Sequence, residues 1–219
     1  MSLPFALRER LAADYHAVRV LPSAWVRALW VSPLAALALC AAPVWFDVRV
    51  DAARLGWFAL WGASALQTIV GVAVVAAALR ESVPGRSWSR TALALWLGIP
   101  FALVVGVTII SWQASPILLR GDGWWLVAGM CFSGSVATAL PVVALGSILA
   151  ARAYPTRPAL AGALIGLGAG LMADAGWRIF CHFSEPSHVL SAHLAAVIAS
   201  SIIGAVFAGR LIGRRTPAE

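Results

Sequence analysis

The sequence predicts an all-α fold, a polytopic membrane bundle of six transmembrane helices with both termini cytoplasmic. Three observations lead there. Six apolar runs occupy about 27–46, 56–79, 91–110, 124–151, 159–180 and 189–209. Each approaches or exceeds the roughly 20 residues that cross ~30 Å of hydrocarbon. The arginines fall on alternate gaps. Arg8, Arg10, Arg19 and Arg27 precede the first run, and Arg80, Arg86 and Arg90 follow the second. Arg152 and Arg157 follow the fourth, and Arg210, Arg214 and Arg215 follow the sixth. Only Arg49, Arg54, Arg120 and Arg178 lie on the other side, so the positive-inside rule puts the arginine-rich side in the cytoplasm. Finally, 61% apolar and 11% charged residues leave too little polar surface for a soluble fold of 219 residues.

The chain divides into a cytoplasmic N-terminal segment (1–26), a six-span membrane domain (27–212) and a short cytoplasmic tail (213–219). Glu9, Asp14 and the lack of a compact apolar core argue against a cleavable signal peptide at the start. The net charge is +7, and the positive charge, all of it arginine, sits in short loops beside the spans. There it faces anionic headgroups, so no direct nucleic-acid contact is expected.

From Leu3 to Val18 the periodicity predicts an amphipathic helix. Leu3, Leu7, Leu11, Tyr15 and Val18 form its apolar stripe, and Arg8, Glu9, Arg10 and Asp14 lie between them. Such a helix lies on the inner leaflet or docks a cytoplasmic protein. Pro22 ends it, and Ser23 is placed to cap the first span. Pro84-Gly85 and the pair Pro155 and Pro158 mark inner turns. Trp45, Trp57, Trp112, Trp124, Trp125 and Trp177 fall at the outer ends of spans and Trp25, Trp30 and Trp88 at the inner ends, as amphipathic rings do at a lipid–water boundary.

The fifth span carries Gly162, Gly166 and Gly170 on one face, a strip that lets a second helix approach closely, from this chain or from a second copy in a homodimer. Asp174 in the same span is costly unless paired, and Arg178 lies one helical turn away. Chemistry gathers on the outer side. Cys181, His182, Glu185, His188 and His193 fall within thirteen residues, a donor set suited to a borderline transition-metal ion such as zinc. One geometric objection applies. Five positions along an α-helix turn His188 and His193 about 140° apart, unless a helix starts between them near Ser191. Cys131 and Cys40 sit at similar depth in the outer halves of the fourth and first spans.

Tyr154 to Leu171, with its two prolines and glycine strip, then Cys181 and the run His188-Val-Leu-Ser-Ala-His193, resembles the C-terminal half of the NrsF-type integral-membrane anti-sigma factors. Cys131, Pro155/Pro158, the three glycines and Cys181 match that family's pattern in order, and Val18 to Pro22 resembles its short basic segment before the first span. The chain departs from many relatives at Phe180, His182 and Ala192. The resemblance implies an extracytoplasmic-function sigma factor held at the inner face of the bacterial inner membrane. Leu3, Leu7, Leu11, Tyr15 and Arg19 of the N-terminal segment are the candidate contacts, with the 80–90 loop beside them. It also implies Cys131 and Cys181 as the sensing pair for a periplasmic metal or oxidant. A structural subunit of a larger membrane complex and a small metal transporter are the competing readings. No nucleophile–base pair or phosphate loop suggests an enzyme.

The arginine bias carries a direct test. Reporter fusions after residue 219 and within 80–90 should read cytoplasmic, and fusions within 111–123 external; an external C-terminal fusion contradicts the six-span topology.

Overall fold

A computed structural model describes residues 20–115 and 123–213, together with Phe5, Glu9, Arg10 and Ala13. Six helices are long and apolar enough to cross a membrane. They are α1 (Ala24–Phe46), α2 (Ala52–Glu81), α3 (Arg90–Ala114), α4 (Trp124–Ala151), α5 (Pro158–Phe180) and α6 (Pro186–Ile212). Among the described residues there is no strand. The six apolar runs all become helices, and the helices outrun them at several ends. The amphipathic stripe Leu3, Leu7, Leu11, Tyr15 and Val18, and also Arg19, lie outside the described residues.

Local chemistry explains the boundaries. Ser23 caps α1 by accepting a hydrogen bond from the Val26 amide at 3.4 Å. The helix is interrupted at Trp30–Val31, just before Ser32 and Pro33, because Pro33 has no amide hydrogen to donate to the carbonyl four residues back and its ring crowds that carbonyl. Ser89 caps α3 through Ala92 N at 3.2 Å. In α2, Gly56 adopts φ 72°, a left-handed value open to glycine, and a π-helical turn follows over Phe58–Gly62.

One helix sits at the centre. In α5, 78% of the most apolar stretch is buried, against 11% in α3. Helix α5 packs on α1, α2, α4 and α6, whereas α3 leans mainly on α2. Glycines make the central position possible. A Cβ at Gly162 or Gly166 would collide with the carbonyls of Gly204 or Ser200, and one at Gly170 would meet Val197. The strip therefore packs on α6 of the same chain, and not on a second copy. Two further faces are also bare: Gly168 meets the backbone of α2 at Gly71, and Gly176 meets that of α1 at Ala38. With no Cβ between them, helix backbones approach closely and gain dispersion contacts, the main attraction available between apolar helices in lipid.

The arginine-rich end is closed by buried charge. Arg27 is 1% exposed and donates to Leu79 O at 2.7 Å and Leu149 O at 3.3 Å. These carbonyls lie in the last turns of α2 and α4, where helices lack internal donors and carry partial negative charge. Glu81 is also buried; it pairs with Arg157 and accepts from the Trp88 amide at 2.6 Å. The Arg80 guanidinium stacks on the Trp88 ring at 3.8 Å.

The tight α5–α6 approach predicts a graded response. Gly166→Ala should destabilise the purified full chain by about 1–3 kcal/mol through overpacking, read as a lowered thermal midpoint in detergent. Gly209→Ala, at a glycine with open space around it, should leave the midpoint nearly unchanged.

Candidate functional site

At the end opposite the arginine cluster, three helices bring four donor groups together. Cys131 lies two turns inside α4, Cys181 follows the last residue of α5, and His188 and His193 belong to the start of α6. One ligand atom from each falls within 4.8 Å of all the others, and all four residues are buried. Cys181 Sγ lies 3.3 Å from His188 Nε2, and the two imidazole rings are 5.3 Å apart between centroids. None of the three cysteines is bonded to another. A hydrogen bond with Cys131, joined by those from the imidazoles, outweighs burial and holds the Cys181 thiol well below its ordinary range, favouring the thiolate that metals bind.

The five-residue spacing of the histidines is reconciled by a feature that α-helical geometry does not anticipate. No helix starts near Ser191; the helix begins at Pro186. Instead Val189–Leu194 forms a π-helical turn. A π turn closes i→i+5 hydrogen bonds and holds more residues per turn, so side chains five apart return to nearly the same side. His188 and His193 consequently face one point.

Behind His193 stands Asp174, fully buried. Its Oδ1 accepts from His193 Nδ1 at 2.7 Å; its Oδ2 accepts from Arg178 Nε at 2.8 Å and Gln67 Nε2 at 2.7 Å. The expected Asp174–Arg178 pair is present, but it is one part of a larger network. A carboxylate beside Nδ1 keeps the proton there and leaves the Nε2 lone pair free for another partner. Arg178 reaches on to Thr108 Oγ1 of α3 at 3.1 Å. His188, in contrast, leaves Nδ1 buried with no hydrogen-bond partner.

The loop carrying Cys181 is held by Arg49. Its guanidinium grips Asp51 in a two-point pair at 2.6 and 2.8 Å and donates to His182 O and Ser184 Oγ, each at 3.1 Å. Its backbone amide also bonds Ile179 O at 2.9 Å. Burial opposes the Asp51 charge, but the Arg49 hydrogen bonds and charge prevail and hold its carboxyl below the usual range. The wall is completed by Trp177, 6% exposed, which donates Nε1 to Thr138 Oγ1 at 3.1 Å. Trp177 is thus a core residue and not an interfacial anchor; Gly134 leaves the space its indole fills.

The residues singled out in the sequence are sorted by this arrangement. Cys131 joins Cys181, His188 and His193. His182 and Glu185 stand apart from the group: the His182 ring packs on Phe183 at 4.0 Å, and Glu185 accepts from Ser187 Oγ at 2.6 Å and Trp124 Nε1 at 3.4 Å. Cys40 is exposed on the outside of α1. The sequence reading left out two participants, Asp174 as the partner of His193 and Gln67 as the partner of Asp174. Their signal was available: Gln67 and Asp174 each lie deep in a long apolar span where a polar group must find a partner, and a carboxylate accepts more hydrogen bonds than one arginine supplies.

Fold and site together define a six-helix membrane-type bundle in which two thiols and two imidazoles converge near one end. Over residues 11–213 the chain matches the family model NrsF, described as negative regulator of sigma F. The chain belongs to that family, and its class is that of a negative regulator of a sigma factor. No curated protein and no solved structure matches it.

Arg49 should be the residue on which the Cys181 loop depends. Arg49→Gln leaves a buried, unpaired Asp51, a change that typically costs about 3–5 kcal/mol, and should speed amide hydrogen exchange across residues 179–185. Adding Asp51→Asn should recover part of the lost stability but not the loop protection.

Proposed function

We propose that this chain is a membrane-bound anti-sigma factor. It holds an extracytoplasmic-function sigma factor at the cytoplasmic face of the bacterial inner membrane and releases it when a transition-metal ion is captured from the periplasmic side. Family membership supports the sigma-factor partner. Six apolar helices and the arginine bias support the location and orientation.

The observation that carries the metal cue is the convergence of Cys131, Cys181, His188 and His193, with donor atoms within 4.8 Å of one another. A tetrahedral ion with Zn–N and Zn–S bonds of ordinary length spaces its ligands by about 3.3–3.8 Å. The four groups are therefore loosely spread around such a site and must draw inward by roughly an ångström or less to close it. Two thiols and two imidazoles suit a borderline ion such as zinc and its softer neighbours. When bound, the ion would supply an attraction between α4, α5 and α6. Release follows only if the closed arrangement holds the partner less tightly than the open one.

An oxidant is the second reading, favoured by two free thiols in one cluster. Both thiols would lose a proton and together pass two electrons to a periplasmic oxidant, forming one sulfur–sulfur bond of ~2.05 Å. The metal reading is preferred because a disulfide leaves the two histidines and Asp174 without a task. The N-terminal segment, with Leu3, Leu7, Leu11, Tyr15 and Arg19, remains the proposed docking element on the other face.

A zinc titration of the purified complex of this chain with its sigma factor tests the reading. The unaltered chain should release its partner, while Cys131→Ser or Cys181→Ser should shift the midpoint at least tenfold upward, since a hydroxyl replaces neither the charge nor the polarizability of a thiolate. Cys40→Ser should behave as the unaltered chain does. Release by both serine variants at the original midpoint would reduce the two cysteines to core packing.

A further inference from the structure

The four donors account for ion capture but not for how capture reaches the arginine-rich end. Like α1, the helices α2 and α3 contribute no donor to the group. They are nonetheless the helices joined by the turn at residues 82–89, where Arg80, Glu81 and Trp88 make the contacts described above. Both are tied to the donor group through one side chain. Asp174 takes His193 Nδ1 on one oxygen and, on the other, Gln67 from α2 and Arg178, which passes on to Thr108 of α3. Gln67 also donates to Leu171 O at 3.1 Å, so its amide is anchored to α5 at two points one turn apart. Helix α3 is otherwise the least buried of the six, and a single hydrogen bond to Thr108 is a large share of its polar attachment.

We propose that Asp174 is the positioning residue of the Cys/His group and the junction through which its occupancy acts on α2 and α3. The inference rests on the metal reading above and extends it to regulation. Asp174 does not touch the ion; it orients His193 by holding Nδ1–H, so that Nε2 points at the thiols. Carboxylates in this role typically contribute 10–100-fold to metal affinity. When His193 is drawn toward an ion, the carboxylate bonded to it must follow or lose its 2.7 Å contact. Its remaining partners, Gln67 and Arg178, move with it because a buried carboxylate in an apolar bundle has no water to replace them. The displacement is thereby imposed on α2 and α3 and on the turn between them.

The test separates capture from transmission, with cobalt(II) and zinc as probes of the full chain bound to its sigma factor. Asp174→Leu removes the acceptor that orients His193 but strands Arg178, so Asp174→Leu/Arg178→Gln is made in parallel to keep the interior uncharged. Both should weaken cobalt(II) binding by 10–100-fold and alter its ligand-field spectrum, a signature that loosened packing alone would not produce. Gln67→Leu and Thr108→Val leave the donors and the His193–Asp174 bond in place. They should bind cobalt(II) within about threefold of the unaltered chain and yet need at least tenfold more zinc to release the partner. Unaltered affinity and spectrum in the Asp174 variants would overturn the positioning role. Normal release from both Gln67→Leu and Thr108→Val would overturn the junction while leaving the metal reading intact. An unaltered chain that takes up no ion would overturn both.

Discussion

The structure depends on the close approach of α5 to its neighbours. A helix that must touch four others cannot carry large side chains on every face, and glycines at 162, 166, 168, 170 and 176 remove them where backbones meet. In lipid there is little hydrophobic gain from bringing apolar helices together, so contact between backbones replaces it. The polar site follows from that packing. Asp174, Arg178 and the residue after the last turn, Cys181, are carried by the same helix that the glycines draw into the centre. A looser α5 would leave Asp174 in hydrocarbon without Gln67 or His193, at a cost that one neighbouring arginine does not offset.

The two ends of the bundle solve the same problem with opposite chemistry. At one end, Arg27 satisfies carbonyls at the closing turns of α2 and α4. At the other, Arg49 holds the loop after α5 through carbonyls and a hydroxyl while its charge is met by Asp51. Each arginine is buried and each binds backbone from distant parts of the chain, so both act as cross-links between separate helices. The donor group lies just beneath the Arg49 loop. Its geometry is therefore set by a rigid helix on one side and a latched loop on the other.

The number of spans, their order and the alternation of charge were legible because each is a property of composition along one dimension. The glycine strip was legible as a packing surface, but its partner was not: spacing of four identifies a close contact without saying which helix supplies it. The site was legible in part. Cys181, His188 and His193 stood out by clustering in sequence, and Cys131 through the family pattern, whereas His182 and Glu185 shared the cluster but point elsewhere. What concealed the outcome was the π turn at Val189–Leu194, since α-helical spacing argues against the very pair it joins. Trp177 misled for a related reason. A tryptophan near a helix end reads as an anchor, and only the space left by Gly134 reveals that its indole is buried.

Arg27 has a further consequence, in time rather than in space. If the bundle is inserted into a bilayer as proposed, its helices enter one after another, and an arginine in the first turn of the first span biases its orientation as a free charge. At that moment neither α2 nor α4 exists for it to bind. In the finished bundle the same guanidinium is buried and holds the carbonyls of Leu79 and Leu149. On the proposed topology one side chain would serve two successive stages of biogenesis, orienting the first helix before the others arrive and locking them once they have. A substitution here would be felt twice, as mixed orientation in the nascent chain and as an unsealed end in those molecules that insert correctly.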